Sequence, residues 1–182
     1  MDYKKYFKEY SNAISNLLNN IDTDLINDSV RLINKVINNN KKIYIAGNGG
    51  SSSIASHVSV DFAKVAKIPS LTFNNSNLIT CYANDYGYEE WIKESIKTFC
   101  DKKDLLILIS SSGTSKNIIN GAQYCNDNQI DLITLSGFEI NNPLQKLGNI
   151  NFHVDSKDYN FIEMAHHIIL VSLVDIFAKK IF

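Results

Sequence analysis

Apolar residues at Tyr3, Tyr6, Tyr10, Ile14, Leu17 and Ile21 recur every three or four positions, the spacing of one face of an α-helix. A second stripe follows the capping region Asp22-Thr23-Asp24, runs through Leu25, Ile26, Val30, Ile33, Val36 and Ile37, and should end near Asn38-Asn39-Asn40. The pattern then changes. Short apolar runs predict strands at 42–46, 70–73, 104–109, 131–135 and 150–154. Between them lie helical stretches at roughly 51–66, 88–100 and 115–128, a short turn around 142–147, and a last helix from about Asn160 to Lys180. Alternating strand and helix predicts an α/β fold: a doubly wound, five-stranded parallel sheet flanked by helices, behind a two-helix N-terminal extension. No linker, repeat or low-complexity segment divides the chain, so residues 1–182 are expected to form a single domain. The pair 1–40 precedes the first strand and is no crossover connection. It is expected to serve oligomerisation, the alternative being that it packs back on its own domain.

Composition narrows the function. The 182 residues carry 18 basic and 19 acidic side chains, a formal charge of −1, which gives no electrostatic case for nucleic acid or an anionic membrane. Arg31 is the sole arginine, so any phosphate site must use hydroxyls, backbone amides or lysine. Cys81, Cys100 and Cys125 are widely spaced with no CxxC, and read as reduced, mostly buried thiols of a cytoplasmic protein. The N-terminus has no apolar targeting region, and no run is expected to reach the length of a membrane span.

Two Gly/Ser loops carry the candidate chemistry. Gly47-Asn48-Gly49-Gly50-Ser51-Ser52-Ser53 follows the first strand, and Ser110-Ser111-Ser112-Gly113-Thr114-Ser115 follows the third. Glycine lets a backbone turn sharply and approach a ligand, while hydroxyls and the free N–H groups of a helix's first turn bind anions. Two such loops at the carboxyl ends of strands predict one phosphorylated ligand across the sheet edge, held by Asn48, Gly49, Gly50, Ser51, Ser110, Ser111, Ser112 and Ser115. A dinucleotide fingerprint is excluded: serine replaces the third glycine, and the second strand ends in Thr72-Phe73-Asn74-Asn75 with no acidic residue for a ribose. No GxxxxGK[ST] occurs, so no nucleotide cofactor is expected.

His57 and Asp61 lie four residues apart and share a helix face; Glu163, His166 and His167 form a second cluster on the last helix. Such pairs could bind zinc with an open position or share proton transfer. Adjacent helical residues point about a hundred degrees apart, so at most one of His166 and His167 should face the site. His153 reads as core or edge, Asn84-Asp85 as a turn before Tyr86-Gly87-Tyr88, and the aromatic group Tyr82, Tyr86, Tyr88 and Trp91 as core.

Together these motifs resemble the sugar isomerase (SIS) domain family. The similarity is greatest to its phosphoheptose isomerase branch, which shares the two-helix N-terminus and an Asn-Asp pair like Asn84-Asp85. The resemblance implies the SIS fold and a homotetramer with intersubunit active sites. It also implies conversion of sedoheptulose 7-phosphate to D-glycero-D-manno-heptose 7-phosphate for bacterial surface polysaccharide. Asn84 and Asp85 would join the substrate-binding set; His57, Asp61, Glu163 and His167 would be catalytic; and zinc would be held by His57, Asp61, Glu163 and His166. The chain departs from the family pattern at three places. Asp61 replaces a glutamate, Glu163 a glutamine, and Val171 a histidine, leaving His166 or His167 to act from one turn earlier. Loss of that histidine makes a catalytically silent regulator that binds a sugar phosphate or a protein the alternative reading. A phosphosugar lyase or epimerase is a third that the same groups could serve.

Overall fold

The computed structural model describes residues 1–179. Five parallel strands, β1 (Ile43–Gly47), β2 (Ser70–Thr72), β3 (Leu105–Ser110), β4 (Asp131–Ser136) and β5 (Ile150–His153), form one sheet in the order β2-β1-β3-β4-β5. Every residue of β1 and β3 is buried, which is why their sequences read as unbroken apolar runs. Successive side chains point to opposite faces, so the sheet feeds two cores. On one face Ile43, Ile45, Ile107 and Ile109 pack with α2 (Asp24–Asn38), α3 (Gly50–Lys64) and α7 (Tyr159–Phe177). On the other, Tyr44, Ala46, Leu106 and Leu108 pack with α5 (Trp91–Phe99) and α6 (Lys116–Asp127).

The strands and principal helices lie where the apolar pattern puts them, with shifts of a few residues at their ends. The last helix stops at Phe177, and Lys180, its expected end, lies outside the described residues. One helix is additional. The α4 helix (Ser76–Tyr86) opens on Asn75, whose side chain accepts from Asn77 N and Leu78 N. None of its residues is fully buried, so it lacks the apolar stripe that would announce it. Asn84 and Asp85 therefore sit at a helix end rather than in a turn. Trp91 is buried as expected, but Tyr86 and Tyr88 are exposed and do not belong to the core. Cys125 is buried, Cys100 half-buried and Cys81 exposed, so the thiols are less uniformly buried than composition suggests.

The α7 helix corrects another expectation: with a mean hydropathy of 1.4 over its length, it is long and apolar enough to span a membrane. Here its Ile162, Ala165, Ile169, Leu170, Leu173 and Val174 are buried in the core with α3 and the sheet, the placement of a core helix. The α1 helix (Tyr3–Asn19) contrasts with it. Asp2 caps it by accepting from Lys4 N and Lys5 N, yet no residue of α1 is buried, and Tyr3 and Phe7 stand exposed.

Candidate active site

The glycine and serine loops leave adjacent strands. β1 and β3 pair in register from Ile43↔Leu105 to Gly47↔Ile109, which sets Asn48 and Ser110 side by side at the carboxyl edge. Gly49 takes φ +54°, a conformation that side chains disfavour, and starts α3 immediately after the strand. A pocket of about 100 Å³ opens between the loops, lined by Asn48, Ser51, Ser110, Ser111, Ser112, Ser115, Ile109, Tyr159 and Glu163. Ser110 Oγ donates to Ser115 Oγ at 3.0 Å, and Thr114 donates to Ser112 Oγ through its N–H at 3.3 Å and its hydroxyl at 3.0 Å. The Ser111 hydroxyl is buried with no hydrogen-bond partner. A buried hydroxyl left unpaired among other donors suits a site that an anion fills.

A second cavity, of about 360 Å³, lies between α3 and α7 and is lined by Gly50, Ser53, Ile54, His57, Glu163, Met164 and His167. Glu163 lines both spaces. Its carboxyl occupies the room above Gly50, where any Cβ would collide with it. Burial raises the Glu163 pKa above the usual carboxylate value.

Inside this second cavity the imidazoles meet. His57 Nδ1 lies 2.8 Å from His167 Nε2, the rings edge to face, and His57 Nε2 lies 3.2 Å from the Asp61 carboxylate. One arrangement of neutral tautomers satisfies both contacts. His57 donates through Nε2 to Asp61 and accepts at Nδ1 from His167 Nε2–H, which leaves the lone pair of His167 Nδ1 free. Burial, and secondarily the neighbouring His57, lower the His167 pKa, so the ring stays neutral further into acid than an ordinary histidine.

His166 does not join this group. Its ring points about a hundred degrees around α7 from His167 and is fully buried, with Nε2 3.0 Å from the Ser136 carbonyl oxygen, and burial pushes its pKa down to about 4. The expected metal set of His57, Asp61, Glu163 and His166 is therefore not brought together. Val171, at the position of the family's later histidine, packs its apolar side chain against the core. Both ring nitrogens of His57 are already engaged, and among the described residues no grouping of three or more His, Cys, Asp or Glu could hold a metal ion. The residues present do not fit a zinc site. Asn84 and Asp85 bond to one another, Nδ2 to Oδ1 at 2.9 Å, and line neither cavity.

Tyr159, which lines the hydroxyl-rich pocket, and Asn117, which hydrogen-bonds Asn48, were not singled out in the sequence, and Tyr88, read there as core, instead hydrogen-bonds Asn48. Asn117 follows Ser115 by two positions in the first turn of α6, a spacing that marked it; Tyr88 and Tyr159 carried no such signal.

A model of the SIS domain family matches residues 5–137. The chain belongs to that family. Its SIS relatives include the phosphoheptose isomerases of two Helicobacter pylori strains. One is 30% identical over 178 residues, covering 94% of this chain and 92% of the relative. The other is 32% identical over 159 residues, covering 84% and 82%. These place it on the phosphoheptose isomerase branch. Its fold is shared with a phosphoheptose isomerase from Francisella tularensis, at 23% identity and a TM-score of 0.86, covering 99% of this chain and 100% of that one. A phosphoheptose isomerase from Neisseria gonorrhoeae superposes equally well, with a TM-score of 0.87 at 19% identity over 97% and 99% of the two chains.

Proposed function

We propose that this SIS chain interconverts the ketose and aldose forms of a heptose phosphate, sedoheptulose 7-phosphate and D-glycero-D-manno-heptose 7-phosphate. The reaction would supply heptose for bacterial surface polysaccharide, and the relatives' shared name supports the substrate class. One observation carries the reading: Glu163 lines both the hydroxyl-rich pocket and the imidazole cavity, so a pocket suited to a phosphate and a set suited to proton transfer adjoin at one residue. Isomerisation through an enediol needs a base at the carbon-bound proton and an acid at the neighbouring oxygen. In the ketose-to-aldose direction His167, backed by His57 and Asp61, takes the proton from C1 while Glu163 protonates the C2 carbonyl oxygen. The enediol then accepts a proton at C2 and releases the one on O1. No step is assigned to zinc.

The same reading takes residues 1–182 as one SIS unit whose helical pair 1–40 serves assembly into a homotetramer with intersubunit sites. The His57 side chain is 54% exposed, and apolar Val60, Met164 and Ile168 are exposed on the same two helices, the surface such a contact would cover. Free cysteines support a cytoplasmic location. Val171 is the observation that favours the second reading, a silent regulator. Incubation with sedoheptulose 7-phosphate, with and without added zinc, followed by NMR identification of products decides between them. An aldoheptose phosphate supports the isomerase; unchanged ketose that still binds, by calorimetry, leaves the regulator.

A further inference from the structure

Asn48 is held by two residues outside the loops. Its Oδ1 accepts from Asn117 Nδ2 at 2.9 Å and from the Tyr88 hydroxyl at 3.1 Å, and its Nδ2 donates to Asn117 Oδ1 at 2.9 Å. A carboxamide has two acceptor lone pairs and two N–H donors. Both lone pairs of Asn48 are taken and one N–H is spent, so its remaining capacity is a single donor, in a side chain that lines the hydroxyl-rich pocket. The reciprocal amide pair alone would be satisfied with both amides turned over. The Tyr88 phenol, a stronger donor than acceptor, breaks that symmetry by favouring the oxygen.

Tyr88 is itself secured. It sits in the segment between α4 and α5, after Gly87 at φ +91°. Asn120 donates to the Glu89 carbonyl at 3.0 Å and to Glu90 Oε1 at 2.7 Å, and Lys116 pairs with Glu89 at 2.9 Å. The first turns of α6 thus hold down the segment that carries Tyr88 and also supply Asn117.

We infer that Tyr88 and Asn117 are positioning residues that orient the Asn48 amide so that the pocket meets its N–H and not its oxygen, which selects a ligand rich in acceptor oxygens such as a phosphate group. This rests on the proposed sugar-phosphate reading. Asn117 is 2% exposed and its loss would disturb packing, whereas Tyr88 is 55% exposed, so Tyr88→Phe carries the test. The measurement is calorimetric binding of inorganic phosphate and of sedoheptulose 7-phosphate to the full chain, in a cycle of wild type, Tyr88→Phe, Asn48→Ala and the double variant. Tyr88→Phe should weaken both probes about 5–10-fold and raise KM by more than it lowers kcat, since it frees Asn48 to present its oxygen. Added to Asn48→Ala, it should change binding no further. An equal loss in both backgrounds, or none in the single variant, overturns the inference. Wild-type protein that binds the sugar phosphate without turning it over sinks the isomerase reading alone, and the cycle still decides the role of Tyr88. Wild-type protein that binds neither probe overturns both.

Discussion

The Glu163 carboxyl lies where Gly50 would carry a side chain, so the last glycine of the first loop is the space in which that acid rests. Gly50→Ala would meet only the movable end of Glu163, and alanine is a better helix former than glycine. The melting temperature should hold or rise slightly, while turnover falls at least about tenfold as the carboxyl is pushed off its position. Retained turnover would show that the acid needs no such placement.

Ser112 and Ser115 have their hydroxyls on the pocket and few ties to the core. Replacing both with alanine should cost about 1.5–3 kcal/mol of sugar-phosphate binding for each hydrogen bond lost to a charged oxygen, with little effect on the urea midpoint. Unchanged affinity by calorimetry would place the phosphate elsewhere.

His57 sits between Asp61 and His167 and contributes little to the core. His57→Ala should lower kcat by at least about a hundredfold while leaving phosphate affinity nearly intact, because the proposed phosphate pocket lies at the other loop. Parallel losses of turnover and affinity would mean that the two cavities do not divide the work in this way.

How much of this could be read from the chain follows from burial. β1 and β3 are legible because every one of their residues is covered, and α7 because its apolar positions face the sheet. The α4 helix is not, because it buries nothing fully and its start depends on the Asn75 side chain. The serine loop is local in sequence and visible there. The choice between His166 and His167 is not local: spacing shows that only one can face the cavity, and the packing of Ala165, His166 and Ile169 into the core decides which. The Tyr88–Asn48 contact joins residues forty positions apart and leaves no periodic trace.

His166 should make the fold acid-sensitive. Its buried ring takes up a proton near pH 4, whereas the unfolded chain does so near the ordinary value of 6.5. Between these values the unfolded state binds more protons, so stability rises with pH across that window and is lost as pH falls through it. Up to roughly 3 kcal/mol is at stake. Urea midpoints from pH 4.5 to 7 should show this slope, made smaller in His166→Leu; His153 and His167, whose pKa values burial also lowers, add to it, while Glu163, whose pKa burial raises, opposes it at the acid end. An undiminished slope would assign the effect to other groups.

Because α1 buries no residue fully and touches a core only through half-buried Leu17 and Leu18, deletion of Met1 to Asn20 should lower the melting temperature yet leave both cores folded, with unchanged circular dichroism for the remainder. Light scattering should then show smaller assemblies. Full-sized particles would mean that the first helix is dispensable for association.

The serine loop leads into α6 on one face of the sheet, while His57 and His167 stand on helices that cover the other. The two meet at Glu163, which lines both spaces, so the span past that residue works as a ruler between grip and reaction. Under the proposed reading, a sugar gripped by its phosphate would present to the imidazoles whichever carbon lies one ruler-length away, so chain length would be measured rather than recognised group by group. Substitutions along α3 or α7 could reset which carbon is read without loosening the grip.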